Sequence, residues 1–95
     1  MNVLTMSKES TIKVLNAANE LGMLPLLFAE CISADVLINE VACDKAIEKI
    51  TDFLEAIDET NIQDKDKLKN LLVKGLEIAK REKAEFLKGN SAKNV

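Results

Sequence analysis

Among the side chains that most often do chemistry, this sequence offers many carboxylates and ammonium groups, two thiols and no imidazole. The acids Glu40, Asp44, Glu48, Asp52, Glu55 and Glu59 follow at three- and four-residue steps, the spacing that lines one helix face. Carboxylates so spaced can share a cation. Helical di-metal sites, however, add inward-facing Glu-x-x-His pairs, and this chain has no His. The row also falls mostly away from the apolar stripe of its helix, so a solvated acidic face is expected, with no metal and no cofactor. The missing imidazole removes the commonest general base and the side chain that switches near neutral pH.

The other acids and the thiols give no better case for catalysis. Glu30 is the carboxylate most embedded in apolar sequence, but on a helical wheel it joins Ser33, Glu40 and Asp44 in a narrow polar strip, the wet edge of a helix. Cys31 and Cys43 have apolar neighbours, and Cys31 has no cation nearby in sequence to hold a thiolate. On one continuous helix the two would stand roughly 18 Å apart, beyond disulfide reach. Both are expected to be free, buried and small, in a reducing, cytoplasmic setting. The sequence predicts a protein that is not an enzyme.

The basic residues leave two readings open. Lys67, Lys74, Arg81 and Lys88 repeat every seven residues, with Lys80 and Lys83 close by. Residues 1–60 carry a net charge of −7 and residues 61–95 a net +4, together the −3 of the chain. The plainer expectation is an acidic helix lying beside a basic one, with opposite signs selecting the antiparallel register. The sharper one makes Lys74, Lys80, Arg81 and Lys83 an anion-binding set for a small molecule such as a nucleotide. Nucleic acid fits poorly: the chain is acidic overall, has no Tyr or Trp to stack on bases, and interleaves Asp66, Glu77, Glu82 and Glu85 with its lysines.

The elements that must position these groups are few and long. The chain has 95 residues, 47% of them hydrophobic and 31% charged, which makes one folded domain with a marginal core. Three Gly and one Pro leave little turn chemistry, so the fold class is all-α. Leu24 to Val41 is apolar on nearly every side of a helix. Its acids Glu30, Asp35 and Glu40 exclude a membrane span, and Met1–Met6 has no signal-peptide pattern.

Ser7 or Ser10 can cap a first helix running from about Lys8 to Leu21, and Gly22 ends it. Pro25 opens the next. The line Phe28, Ile32, Val36, Cys43, Ile47, Ile50, Leu54 and Ile57 then predicts one helix of about 35 residues, with a kink at Ala42–Asp44 as the alternative. Thr60–Asp64 forms the second corner, with capping-box spacing between Thr60 and Gln63. A third helix follows to about Lys88 and stops at Gly89-Asn90-Ser91, and Gly75 with Ala79 would admit a close helix neighbour. The expected organisation is an arm over 1–7, a helical domain over 8–88 and a disordered tail over 89–95. The short first helix packs on a long antiparallel hairpin, folding back over the first half of its first helix.

So much apolar helix surface asks for cover beyond two neighbours. Leu27, Phe28, Cys31, Ile32, Val36, Ile38 and Asn39 are therefore expected to meet another chain, in a homo-oligomeric bundle or with a different protein. Asn39, on the apolar line, is the candidate for fixing register. The function expected is non-catalytic protein–protein interaction, as an inhibitor or adaptor. Sequestration of an anionic small molecule by an oligomer and a structural assembly subunit are the alternatives. Usage rich in Lys, Asn and Ile would suit a phage or low-GC bacterial source.

Overall fold

The computed structural model describes residues 7–93, with side chains through Gly89. Met1–Met6 of the expected arm, and residues 94–95 of the expected tail, lie outside the described residues. The chain forms four α-helices rather than three: α1 (Lys8–Glu20), α2 (Leu24–Glu30), α3 (Glu40–Ala56) and α4 (Lys65–Lys93), with a 3₁₀ turn (Ile57–Glu59) continuing α3.

Local chemistry explains the first corner. The Ser7 hydroxyl accepts from the Ser10 amide at 3.2 Å and caps α1. At the other end the Gly22 amide donates to the Asn19 carbonyl and the Met23 amide to that of Ala18, a Schellman pair. That pair needs a left-handed residue, and Gly22 supplies φ +67°. Pro25 sits in the first turn of α2, where its missing N–H costs nothing.

The long second helix expected from the sequence does not form. In one continuous helix Phe28 and Phe53 would lie roughly 37 Å apart at ~1.5 Å per residue. Their ring centroids are 5.7 Å apart, tilted by 46°. The chain leaves the helix after Glu30, runs through turns to Asn39 and restarts at Glu40. The amides of Val36 and Leu37 both donate to the Ser33 carbonyl, which tightens this connection. Asn39 is extended (φ −161°, ψ 176°) and its side-chain oxygen accepts from the Ala42 amide at 2.8 Å. It starts α3 as an N-cap. The break also precedes the alternative kink position, Ala42–Asp44. Its physical benefit is that α2 can fold back onto the far half of α3.

The same turn-back moves α1. Instead of covering only the segment after Pro25, α1 lies along α3, and Lys8 pairs with Glu59 at the end of the 3₁₀ turn. Leu15, wholly buried, joins Leu24, Phe28, Cys31, Ile50, Phe53, Ile57, Ile62 and Leu72 in the main core. A smaller cluster of Leu37, Cys43, Ala46 and Ala79 lies under the turn segment.

The α3–α4 hairpin is antiparallel, as the charge split predicts. Asp44 pairs with Lys83 at 2.6 Å and Asp58 pairs with Lys69. Fourteen residues separate the two acids and fourteen the two lysines, about four turns on each helix run in opposite directions. At the hairpin corner the capping box over Thr60 and Gln63 is not made. The Thr60 hydroxyl instead donates to the Ile57 carbonyl at 2.6 Å and accepts from the Ile62 amide. Asp64, at φ +59°, then turns the chain into α4, and its carbonyl accepts from the Lys67 and Leu68 amides. A short polar side chain tolerates this left-handed conformation better than most.

α4 passes Gly89 and extends to Lys93. Gly89 is not among the residues with positive φ, so it continues the helix where a left-handed stop was expected. Gly75, mid-helix and buried, is a weak point of another kind. A Cβ added there would meet Ile32 Cγ2 at 3.5 Å and Ile50 Cδ1 at 3.6 Å, ordinary van der Waals contacts. The small residue is not required by packing, so Gly75→Ala is expected to raise stability by about 0.5–1 kcal/mol. The shift of the urea midpoint, followed by circular dichroism, measures it; a destabilised variant would show that α2 and α3 leave no room for the methyl.

Candidate functional site: an apolar groove between α2 and α4

The seven residues expected to meet another chain mostly serve this chain's own core. Phe28 and Cys31 are buried, and Leu27, Ile32 and Val36 are half-buried against the two clusters. Ile38 is 60% exposed and, with Val41 at 64%, forms an apolar spot beside the α3 cap. Asn39 is occupied as that cap.

Two of the seven, Phe28 and Ile32, help line a groove of about 190 Å³ between α2 and α4. Pro25 and Ala29 complete the α2 wall, Leu71, Leu72 and Gly75 the α4 wall, and Ile50 of α3 the floor. The local sequence builds it directly. Pro25, Phe28, Ala29 and Ile32 recur at three- and four-residue spacing, so one side of α2 and the turn after it faces α4. Gly75 offers no side chain opposite them. Leu72 is 1% exposed, Leu71 is 45% exposed, so the α4 wall runs from core to solvent. A dry cavity of about 150 Å³ can admit benzene, which sizes this groove for one large apolar side chain rather than a drug-sized ligand.

A larger recess of about 540 Å³ lies open at the start of α4, lined by Ile62, Asp64, Lys65, Asp66 and Lys67. Its charges alternate in sign along the chain and neutralise one another. It provides no concentrated field for an anion or a cation.

The four residues expected to bind an anion are not brought together. At about 100° per residue, Lys74 and Arg81 share one side of α4, Lys80 lies about a third of a turn round, and Lys83 stands opposite Lys74. Lys83 is engaged by Asp44, and that carboxylate holds its ammonium above the ordinary lysine range. Lys74, Lys80 and Arg81 are exposed, with no carboxylate within 4.0 Å among the described residues.

The remaining charges work on the fold. Lys69 donates to Asp58 and holds its carboxyl below the usual range, with Lys65 and Lys8 adding to the effect. Lys65 also donates to the Asp58 carbonyl oxygen at 3.0 Å. A carboxyl whose pKa is lower folded than unfolded adds stability above its unfolded value and loses it as pH falls through the folded one. Urea midpoints of the native chain and Lys69→Met are therefore expected to differ above the ordinary carboxylate value of about 3.9 and to converge as pH falls through the lowered value of the folded chain. A constant difference down to pH 2 would show that Lys69 contributes packing alone. Lys8 and Lys83, raised by Glu59 and Asp44, give the opposite limb: their contribution is complete below the ordinary lysine range and disappears as pH rises through the shifted values.

Both cysteines are free and buried, and burial raises their thiol pKa. The Cys31 thiol donates to the Leu27 carbonyl at 3.4 Å. Neither has the depressed pKa that a nucleophilic thiolate needs. Among the described residues, no cluster of acids and cysteines is placed to hold a metal, and no helix is long and apolar enough to cross a membrane.

Among the described residues, fold and groove together define a small four-helix protein with an apolar, partly open cleft between a short and a long helix. No protein-family model, curated protein or solved structure matches this chain.

The groove was the feature sequence reasoning missed. Its walls come from Pro25–Ile32 and Leu71–Gly75, which meet only because the chain turns back after Glu30. The available signal was Asn39 followed by Glu40, an N-cap with an acid in the first turn, which marks where the helix restarts but not where α2 ends.

Proposed function

We propose that this protein acts without catalysis, by binding another protein through the α2–α4 groove, as an inhibitor or adaptor. The observation that carries the reading is the groove itself: an apolar cleft the size of one large side chain, with half-exposed Leu71 on its rim and little polar surface inside. Such clefts receive the aromatic or aliphatic anchors that dominate protein interfaces. The two buried free thiols fit a reducing, cytoplasmic setting. Self-association is a second part of the proposal. Its support is the exposed pair Ile38 and Val41, which a second copy would cover.

The test compares retained proteins across variants. Native chain, Gly75→Leu and Leu71→Asp are immobilised and challenged with lysate of the source cell. A protein held by the native chain and lost from both variants supports the reading; one held equally by all three, or by none, overturns it. Leu71→Asp changes an exposed position and keeps the test valid if Gly75→Leu unfolds. Light scattering coupled to size exclusion tests self-association, and a clean monomer at micromolar concentrations removes it.

A further inference from the structure

We infer that the occupant of the α2–α4 groove is an acidic amphipathic helix of a partner protein. The inference rests on the protein-binding reading of the groove and adds the chemistry of what enters it.

The rims of the groove differ in charge. Leu71 is the exposed edge of the α4 wall, and Lys67 and Lys74 stand four residues before it and three after it, on the same face of the helix. Arg81 continues the line seven residues beyond Lys74, and exposed Glu77 between them is the one acid on this part of the face. All three side chains are exposed, and none has a carboxylate within 4.0 Å among the described residues. The other lysines facing α3 are different: Lys69 and Lys83 are spent on Asp58 and Asp44. The basic stripe on the groove side is thus unpaired by its own chain, though that chain carries sixteen acids. The α2 rim offers Pro25 and Ala29, which are uncharged.

A partner suited to both rims has one large apolar side chain for the groove, further apolar residues in a row with it to lie along the exposed Leu71, and acids along one flank of that row. A helix provides this arrangement: anchors at i, i+3 or i+4, and i+7, with Asp or Glu one step round. A nucleic acid would satisfy the cations but leave Leu71 and the groove against a charged backbone. An apolar groove sized for one large side chain points to protein.

The full chain is used to select binders from a displayed library of helical peptides randomised on one face. The expected binders combine Leu, Ile, Met or Phe at helical spacing with Asp or Glu on a single flank. The best is expected to weaken by about tenfold or more against Lys67→Glu/Lys74→Glu, and to regain affinity when its own acids become lysines. Loss of binding to Leu71→Asp places it in the groove. Apolar binders with no acidic enrichment, indifferent to the charge reversal, would overturn the acidic chemistry and leave the groove reading standing. An absence of any binder sensitive to Leu71→Asp would overturn both. A duplex DNA probe that binds more tightly than any peptide, or a native dimer split by Leu71→Asp, would assign the face to a different occupant and overturn the inference.

Discussion

Phe53→Ala is expected to cost about 3–5 kcal/mol of folding free energy, the range for emptying a buried aromatic site. Phe53 is 3% exposed and its ring meets Phe28 across the α2–α3 contact. Small domains hold only about 5–15 kcal/mol in total, so this one change brings the fold close to its limit. Urea unfolding followed at the helical circular-dichroism band measures it. If Phe53→Ala is too unstable to purify, Phe53→Leu refills most of the volume and is expected to lose about 1–2 kcal/mol. A loss below about 1 kcal/mol for the alanine variant would mean that α2 does not dock where the ring contact puts it.

The second expected result concerns Asn39, for which the two roles predict opposite signs. As the N-cap of α3 it satisfies the Ala42 amide, so Asn39→Ala should lose about 1 kcal/mol while Asn39→Asp and Asn39→Ser keep most of the stability. A polar residue in an oligomer seam behaves differently: an apolar replacement raises stability and changes the number of chains associated. Denaturation of the three variants, with their masses in solution, separates the roles. Stabilisation by alanine together with a change in mass would restore the seam.

These two sites show where the sequence could be read and where it could not. Ser7, Gly22 and Pro25 act through their own backbone neighbours, and their roles follow from local chemistry. The antiparallel hairpin was legible as well, because acids and bases segregate on two long helices whose register the pairs Asp44–Lys83 and Asp58–Lys69 reveal. The break between Glu30 and Asn39 was hidden for a tertiary reason. Phe28, Ile32 and Val36 keep helical spacing with Ile47 and Ile50, and neither Gly nor Pro interrupts them. The turn forms because it brings Phe28 onto Phe53, a contact between residues twenty-five apart that no periodicity contains. The groove inherits that obscurity, since its α2 wall exists only through the turn-back. Gly89 misled in the other direction: a glycine ends a helix only where the chain uses its left-handed conformation, as it does at Gly22.

The two core clusters differ in what they hold together, which grades the molecule from one end to the other. The fully buried part of the main cluster contains two phenylalanines and several leucines and isoleucines; that of the smaller one is Leu37, a cysteine and two alanines, with Ile47, Ile78 and Phe86 only half-buried against it. Local opening follows buried apolar area, so the end built around Leu37 and Ala79 should separate before the end built around Phe53. One cysteine happens to sit in each. Cys43, at 0% exposure, is the more completely enclosed of the two, against 7% for Cys31. A maleimide probe acting on the native chain is nonetheless expected to label Cys43 before Cys31, because transient unlocking, rather than average enclosure, governs when a thiol is uncovered.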